Sequence, residues 1–413
     1  MNMKKIFLFL SSILIANISS ATEWHVLGAR SMAMGGAGVA LAGGPVGAYW
    51  NPAGLGQIDN PSGLQIPVGV HLAVSGSVLQ GANDLYQIQK ACNSGSSDCT
   101  QANINNAVNT MNQPGNGVRG DAGVGLDLKI KKVTVFVNSL AYIGGKPVVD
   151  TVNIIQAGSF NNNQSKITLR GILTTEIGVG YGRELDSLPG LLVGGNLKGI
   201  VGKVGYYDYL VLNNESGNSG SLNQFTKGAK QSIQPGVDLG ILWDINRSFG
   251  GAPMRPRLGL TARNINNPKF NQPDQAKLAG EASKFSLQGN VRVGLAISPL
   301  HFWNIVADAD LTRNLTPLDG IASRMLGAGT EINVFNRSWI NIPLRVGLEK
   351  NIAQPGSKTA LTAGGGLNFL HFNVDAAVTA TPSNQTIQSQ NKTKKIPSEI
   401  GASVQLGLLF GGQ

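Results

Sequence analysis

Histidine is the residue type through which this sequence could most readily support catalysis. The chain has four histidines, His25, His71, His301 and His371, and no nucleophile motif stands near any of them. Hydrolytic chemistry needs an activated serine or cysteine within hydrogen-bond reach of a base. A lone histidine in such surroundings is usually structural, so we predict no catalytic residue, no cofactor and no enzymatic activity.

The two cysteines, Cys92 and Cys99, lie seven positions apart in a polar stretch. A metal site would need further ligands close to them in the sequence, and that stretch supplies none, so we predict no metal site. In an exported protein the favoured state of such a pair is a local disulfide.

The first 21 residues have the layout of a secretory signal peptide. Two lysines precede an apolar run over residues 6–18, and small residues follow at 19–21. The run is too short to cross a bilayer as a helix, although a retained N-terminal anchor is the alternative. We therefore predict export, cleavage near Ala21 and a mature chain that begins at residue 22.

Composition favours a sheet protein over a disordered or a nucleic-acid-binding one. The 413 residues include 55 glycines, 42% are hydrophobic and only 14% are charged. The net charge is +10, but lysine and arginine are scattered rather than clustered. We therefore expect no direct contact with nucleic acid.

Alternation with a period of two residues dominates the sequence after residue 63. In residues 285–298, apolar residues or glycine stand at the odd positions from Phe285 to Ile297, and polar or small residues stand between them. Residues 233–245 and 398–410 repeat the pattern. A strand between lipid and a wet lumen requires such alternation. The predicted fold class is all-β, a transmembrane antiparallel up-and-down β-barrel of about fourteen strands.

The spacing of the predicted strands supports the barrel. Connections after odd-numbered strands are mostly long, including residues 80–117 with the two cysteines, and those after even-numbered strands are mostly short. Residues 246–256 and 351–357 are the exceptions. Short turns on one rim and long loops on the other are typical of bacterial barrels. The predicted strands are 64–79, 118–130, 133–144, 166–184, 191–205, 233–245, 257–265, 285–298, 302–313, 325–335, 339–350, 358–368, 370–380 and 398–410.

Charged residues at alternate strand positions are predicted to face the lumen. In lipid, an arginine or lysine at the midplane would cost about 2–4 kcal/mol, whereas in a hydrated or plugged interior the charges can pair. Two roles are open: the charges either bind the wall to an internal plug, which we favour, or line a path for a substrate. The predicted lumen-facing charges are Arg170, Glu176, Asp238, Arg292, Asp308, Arg345 and Asp375.

Residues 22–63 do not alternate. Small residues stand at most of positions 28–42, and Asn51-Pro52-Ala53 follows as a turn. The glycines do not lie between a strand and a helix of an α/β unit, so a phosphate-binding loop is disfavoured. We predict that residues 22–63 form an N-terminal plug inside a barrel of residues 64–413.

These segments resemble a known superfamily. Residues 28–42 and Asn51-Pro52-Ala53 resemble the N-terminal hatch of the long-chain fatty-acid transporter (FadL-like) barrels. Several stretches of the C-terminal third resemble one branch, the conjugal-transfer TraF-like outer-membrane proteins. The resemblance implies a fourteen-strand barrel in the outer membrane, diffusion of hydrophobic molecules past a mobile hatch, and Asn51, Pro52 and Ala53 as ligand residues. The TraF-like stretches are 310–314, 326–331, 344–351, 361–367 and 401–410.

Two functions are compatible with these features. The first is a channel or transporter for small hydrophobic solutes, with outer-membrane lipid around it. The second is a cell-envelope assembly or interaction protein of conjugal transfer or secretion, with a sealed lumen and an envelope protein as partner. An open or a sealed lumen distinguishes them.

Overall fold

The computed structural model describes residues 23–113, 115–150, 164–210, 221–316, 321–337, 339–354, 356–389 and 392–411. The predicted signal peptide, residues 1–21, lies outside the described residues. No helix among the described residues is long and apolar enough to cross a membrane.

Fourteen antiparallel strands form one closed barrel in which each strand pairs with its neighbours in the chain. The first strand pairs with the last, from Ser62 opposite Phe410 to Ala73 opposite Glu399, so the barrel sheet has no free edge. The strands are Ser62–Ser75 (β1), Gly117–Ile130 (β2), Val133–Val148 (β3), Lys166–Glu184 (β4), Leu191–Leu210 (β5), Lys230–Asp244 (β6), Arg257–Arg263 (β7), Asn290–Leu300 (β8), Trp303–Asp310 (β9), Met325–Arg337 (β10), Ile340–Asn351 (β11), Ala360–Phe369 (β12), Phe372–Ala380 (β13) and Glu399–Phe410 (β14).

The predicted fold class is confirmed, and each predicted strand corresponds to one barrel strand. In β14 the side chains of Ser403 and Gln405 are buried, whereas those of Val404 and Leu406 are 47% and 48% exposed on the outer face. The polar face of the strand therefore points inward and the apolar face outward, as a lipid-embedded strand requires.

The connections are sorted between the two rims. Those after β1, β3, β5, β7, β9, β11 and β13 are mostly long, and those after β2, β4, β8, β10 and β12 are short. The connection after β6, residues 245–256, is intermediate, as the sequence predicts. We call the two ends of the barrel the long-loop rim and the short-turn rim.

Helices and short hairpins lie in the N-terminal segment and in the connections. The helices are Ala29–Ala33 (α1), Gly47–Trp50 (α2), the 3₁₀ helix Pro52–Gly56, Val78–Asn93 (α3), Gln101–Met111 (α4), Ser221–Lys227 (α5), Ile245–Phe249 (α6) and Asp274–Leu278 (α7). The hairpins pair Lys269–Asn271 with Lys284–Ser286, Asn314–Leu315 with Ala322–Ser323, and Asn384–Ser389 with Lys392–Pro397.

The first long connection is a helical hairpin, which corrects the prediction of a strand to residue 79 followed by an irregular loop. Helices α3 and α4 pack through a small core of Leu85, Ile88, Ile104 and Met111. Apolar residues spaced three and four apart form one face of a helix. The strand prediction used a period of two residues and did not detect this spacing. Cys92 and Cys99 form a disulfide between the two helices.

The strand predicted at 285–298 starts later, at Asn290. Phe285 belongs to the hairpin with Phe270, and the side chains of Phe285 and Leu287 are buried in the barrel interior instead of facing lipid. The connection after β7 thus folds back into the lumen, where apolar side chains find an apolar environment without leaving the protein.

Candidate functional site

The N-terminal segment, residues 23–61, lies inside the barrel. Helix α1 contacts β12 and β13, and the 3₁₀ helix Pro52–Gly56 contacts β4, β5 and β6 on another part of the wall. Nearly every residue from Trp24 to Gly56 is buried. A buried segment that contacts several sides of a closed barrel occupies its interior.

Glycines of the wall allow the segment to approach the strands closely. A Cβ added to Gly327 would lie 1.9 Å from the carbonyl oxygen of Gly35, and one added to Gly347 would lie 2.6 Å from the Gly35 nitrogen. Gly35 itself has a φ of +71°, which side chains other than glycine rarely adopt. The small residues on both surfaces are therefore required by the backbone contact.

Asn51, Pro52 and Ala53, the predicted ligand residues, lie between the segment and the wall. The Asn51 side-chain nitrogen donates to the carbonyls of Ile241 at 2.9 Å and Val39 at 3.2 Å, and its oxygen accepts from the Ala53 nitrogen at 3.1 Å. Pro52 packs against β5 and β6 next to Gly194 and Gly240. These contacts anchor the segment, and the ligand role of the three residues stays a prediction.

A first ion-pair cluster ties α1 to the wall. Arg345 contacts Glu331 at 2.7 Å and Asp375 at 2.6 Å, and Arg30 of the segment forms two bonds to the same Glu331 carboxylate, at 2.7 and 2.9 Å. The Glu331 charge raises the pKa of Arg30 above its usual value, and burial opposes that rise. The predicted residues Arg345 and Asp375 thus meet two partners that the sequence did not point to.

A second cluster lies on β4 to β7. Glu176 contacts Lys198 at 3.0 Å and Arg263 at 2.9 Å, and Asp238 contacts Lys198 at 3.0 Å. The Arg263 guanidinium also stacks 3.9 Å from the centre of the Tyr49 ring in α2. Burial raises the pKa of Tyr49 to about 12, with Arg263 opposing part of the rise. Wall cations therefore bind the segment through its aromatic rings as well.

A third cluster joins β8 and β9 to the segment. Arg292 pairs with Asp310 at 2.6 Å, and its other nitrogen reaches the Gly36 carbonyl at 3.3 Å. The Asp308 carboxylate accepts from the backbone nitrogens of Gly38 and Val39 at 2.7 and 2.9 Å. Here a buried carboxylate serves as the acceptor for an irregular loop.

The remaining predicted charge, Arg170, lies farther from the segment. It contacts Glu281 of the connection after β7 at 2.6 Å. That connection also places Phe270, Phe285 and Leu287 in an apolar cluster with Trp24 and Tyr49. Six of the seven predicted charges therefore lie in the clusters around the N-terminal segment, and one holds the infolded loop.

A histidine–carboxylate group lies beside the segment, and the sequence did not indicate it. His71 of β1 contacts Asp121 at 3.0 Å and Glu399 at 2.8 Å, and His25 of the segment also bonds to Asp121. Glu23 pairs with Arg119 at 2.7 Å in the same region. The alternation in β1 puts His71 on the inner face, but nothing local to the sequence indicated that His25 lies opposite the same carboxylate.

Two cavities border the segment. A small one of about 40 Å³ is lined by polar residues and by part of the N-terminal segment. The polar residues include His71, Asp121, Glu399, Arg292, Asp308 and Glu349. A large one of about 1220 Å³ lies toward the short-turn rim, and we call it the vestibule. Across the described ranges, no group of three or more His, Cys, Asp or Glu residues could hold a metal ion.

The chain matches one known protein family over most of its length. A family described as "F plasmid transfer operon, TraF, protein" matches residues 48–310, which is well over half of the sequence. The TraF-like stretches recognised in the C-terminal third lie almost entirely outside that region, so the match rests on a different part of the chain. A comparison with curated proteins gave no match.

Among solved structures, the chain is similar to hydrocarbon channels. The Pseudomonas putida toluene transporter TodX has 13% identity, a TM-score of 0.50 and coverage of 95% of this chain and 100% of that one. A TodX monoaromatic hydrocarbon channel mutant gives 13% identity, a TM-score of 0.52 and coverages of 94% and 100%. The Ralstonia pickettii toluene transporter TbuX has 14% identity and a TM-score of 0.51, with coverage of 93% of this chain and 98% of that one. Identities this low establish the fold alone. The chain belongs to the family described as "F plasmid transfer operon, TraF, protein", and its fold is similar to that of the toluene transporters TodX and TbuX.

Proposed function

We propose that this protein is an outer-membrane channel for small hydrophobic solutes, closed by residues 22–63 acting as a plug. The observation that carries the proposal is the N-terminal segment itself, which contacts β4–β6 on one side and β12–β13 on another. The proposal includes removal of a signal peptide near Ala21, which would free the start of the segment.

The chemistry of the interior supports an apolar solute. The charges of the three clusters are paired with each other or with the segment, so a passing ion would have to break those pairs. The infolded connection adds Phe270, Phe285 and Leu287 to the interior on the other side of the segment from the vestibule. TodX and TbuX, which share the fold, are named as toluene transporters.

Single-channel conductance of the refolded barrel, with and without residues 22–60, tests the plug. We expect small conductance from the full chain and large conductance from the deletion variant, because the segment fills the lumen. A loss of heat-modifiable migration on gels identifies a variant that has not folded. Vesicles containing the full chain should take up toluene faster than vesicles without it, and equal rates would refute the solute assignment.

The second candidate is an envelope assembly or interaction protein with a sealed lumen. The observation that favours it is the disulfide-closed helical hairpin, which presents a rigid surface with Tyr86 63% exposed. A barrel that inserts but stays sealed in both forms would favour this role. Deletion of residues 78–111 should then abolish cross-linking to an envelope protein in conjugating cells and leave the barrel folded.

A further inference from the structure

The vestibule has a wall of a different chemistry from the rest of the lumen. Carboxamides are grouped on it, and those that line the cavity are Asn304, Asn336, Asn341, Asn368, Asn373 and Gln405. Such neutral side chains offer both donors and acceptors, and they are of little use to a hydrophobic solute. The proposed channel function leaves this wall without a role.

Four of these asparagines form one hydrogen-bonded row across β10–β13, which we call the amide row. Asn336 is paired with Asn341, Asn341 with Asn368, and Asn368 with Asn373 in the register of the strands. The side-chain nitrogen of each donates to the oxygen of the one before it, at 3.0, 3.1 and 2.5 Å. The row repeats at the strand spacing, about 4.8 Å.

The row and the nearby Gln405 have unused hydrogen-bonding capacity. The side-chain oxygens of Asn373 and Gln405 are buried without a hydrogen-bond partner among the described residues, although both residues line the vestibule. A buried acceptor left unpaired costs about 1–3 kcal/mol. Asn341 and Asn368 each use one nitrogen hydrogen within the row, whereas a carboxamide offers two.

We propose that the amide row binds a neutral glycan chain that carries acetamido groups. Hydroxyl and acetamido groups supply the donors and acceptors that complement carboxamides, and the strand spacing is close to the length of one sugar ring along a chain. Trp339 lies at the Asn336–Asn341 end of the row, lines the cavity and is 51% exposed, so its ring can stack on a sugar face.

The alternatives fit less well. At the row itself, a charged ligand would meet Arg345 already paired with both Glu331 and Asp375. An extended peptide repeats at about 3.3 Å per residue and binds best along a free sheet edge, whereas the closed barrel has no such edge. A neutral chain with a longer repeat is therefore favoured.

Bound glycan would also contact the anchor of the N-terminal segment. The Asn373 nitrogen donates to Asp375 at 2.8 Å, and Asp375 pairs with Arg345. Arg345 in turn shares Glu331 with Arg30 of the segment. The amide row and α1 thus belong to one hydrogen-bonded network, although glycan binding itself needs no open lumen and does not depend on the proposed channel function.

Titration calorimetry with N-acetylglucosamine oligomers tests the proposal on the full mature chain in a sugar-free detergent. We expect saturable binding, weakened at least about tenfold by the double substitution Asn341→Ala/Asn368→Ala. The matched control is Asn246→Ala, because Asn246 lines the same vestibule at the β6 end and lies outside the row. Its affinity should equal that of the wild type.

Other ligands and a milder variant complete the test. If the double variant loses heat-modifiable migration, Asn336→Ala is used in its place, because this exposed residue ends the row. We again expect weaker binding than in the wild type. No binding by the folded wild type, or unchanged affinity in the row variants, would overturn the site. Equal affinity for malto-oligosaccharides, or preferential binding of an extended peptide, would overturn the acetamido-glycan assignment.

Discussion

Buried charges decide, at the scale of single residues, how the N-terminal segment is held. Each acid in the three clusters has a cation or several backbone donors within hydrogen-bond distance, as for Asp308 with Gly38 and Val39. Removing one partner of a buried pair leaves an uncompensated charge in a medium of low dielectric constant, which typically costs about 3–5 kcal/mol. Exposed pairs contribute far less because water screens them.

Arg345→Ala should therefore destabilise the protein by about 3–5 kcal/mol, since the buried Asp375 carboxylate loses its cation. The effect is measured by unfolding the protein in detergent. The readout is the shift of the folded band on gels as the temperature rises. Arg183→Ala is the matched control, because the Arg183–Asp186 pair is exposed and should contribute less than about 1 kcal/mol. Equal effects of the two substitutions would contradict this account of the lumen charges.

At the scale of elements, the contact between segment and wall is a contact of backbones. Gly327 on β10 faces the Gly35 carbonyl with no room for a side chain, whereas Gly199 on β5 has no atom within 4 Å of its Cβ position. Both glycines lie within strands and neither has a positive φ. Substitutions at these two glycines can therefore be compared, because only Gly327 contacts the N-terminal segment.

Gly327→Val should displace the N-terminal segment from this part of the wall and raise the conductance above that of the wild type. Gly199→Val should leave the conductance unchanged. Protease cleavage within residues 23–61, with the barrel intact, provides an independent measure of displacement. A folded Gly327→Val barrel that conducts no more than the wild type would show that the segment does not control the lumen.

The helical hairpin is a second element with local stability. Its disulfide closes a short loop, for which the chain-entropy argument gives about 2 kcal/mol. We expect Cys92→Ser/Cys99→Ser to increase hydrogen exchange in α3 and α4 while the barrel strands stay protected. The wild type under reducing conditions should behave like the double variant. Loss of protection in β1 or β2 as well would mean that the hairpin and the barrel unfold together.

At the scale of the whole molecule, the two rims predict the orientation of the protein. Bacterial barrels place short turns in the periplasm and long loops outside the cell. The amide row lies at the short-turn rim, and the disulfide hairpin lies at the long-loop rim. We therefore expect the two surfaces to face different compartments.

Thiol labelling of whole cells tests that orientation. Leu278→Cys places a thiol in the connection after β7, where the native side chain is 89% exposed, and Asp186→Cys places one in the turn after β4, where it is 94% exposed. A bulky impermeant maleimide should label the first variant on intact cells and the second only after the outer membrane is permeabilised. The reverse pattern would invert the assignment of the rims.

The alternation of side chains was sufficient to predict the barrel. A strand between lipid and lumen repeats every two residues, so the strand number, the inward positions of residues such as Arg292 and the sorting of connections are all visible locally. The seven predicted lumen charges were found by this periodicity alone. The hairpin of α3 and α4 has a period of three to four residues, which an alternation with a period of two residues does not detect.

Only the tertiary structure decided which residues meet. Arg263 pairs with Glu176 across 87 positions, and His25 with Asp121 across 96, because closure of the barrel and the path of the segment bring them together. A period of two residues also does not indicate which of the two faces points inward. It therefore could not show that Phe285 and Leu287 face an apolar interior instead of lipid. The sequence alone determined which residues share a face of a strand, and the packing of the N-terminal segment and the infolded loop determined what each face contacts.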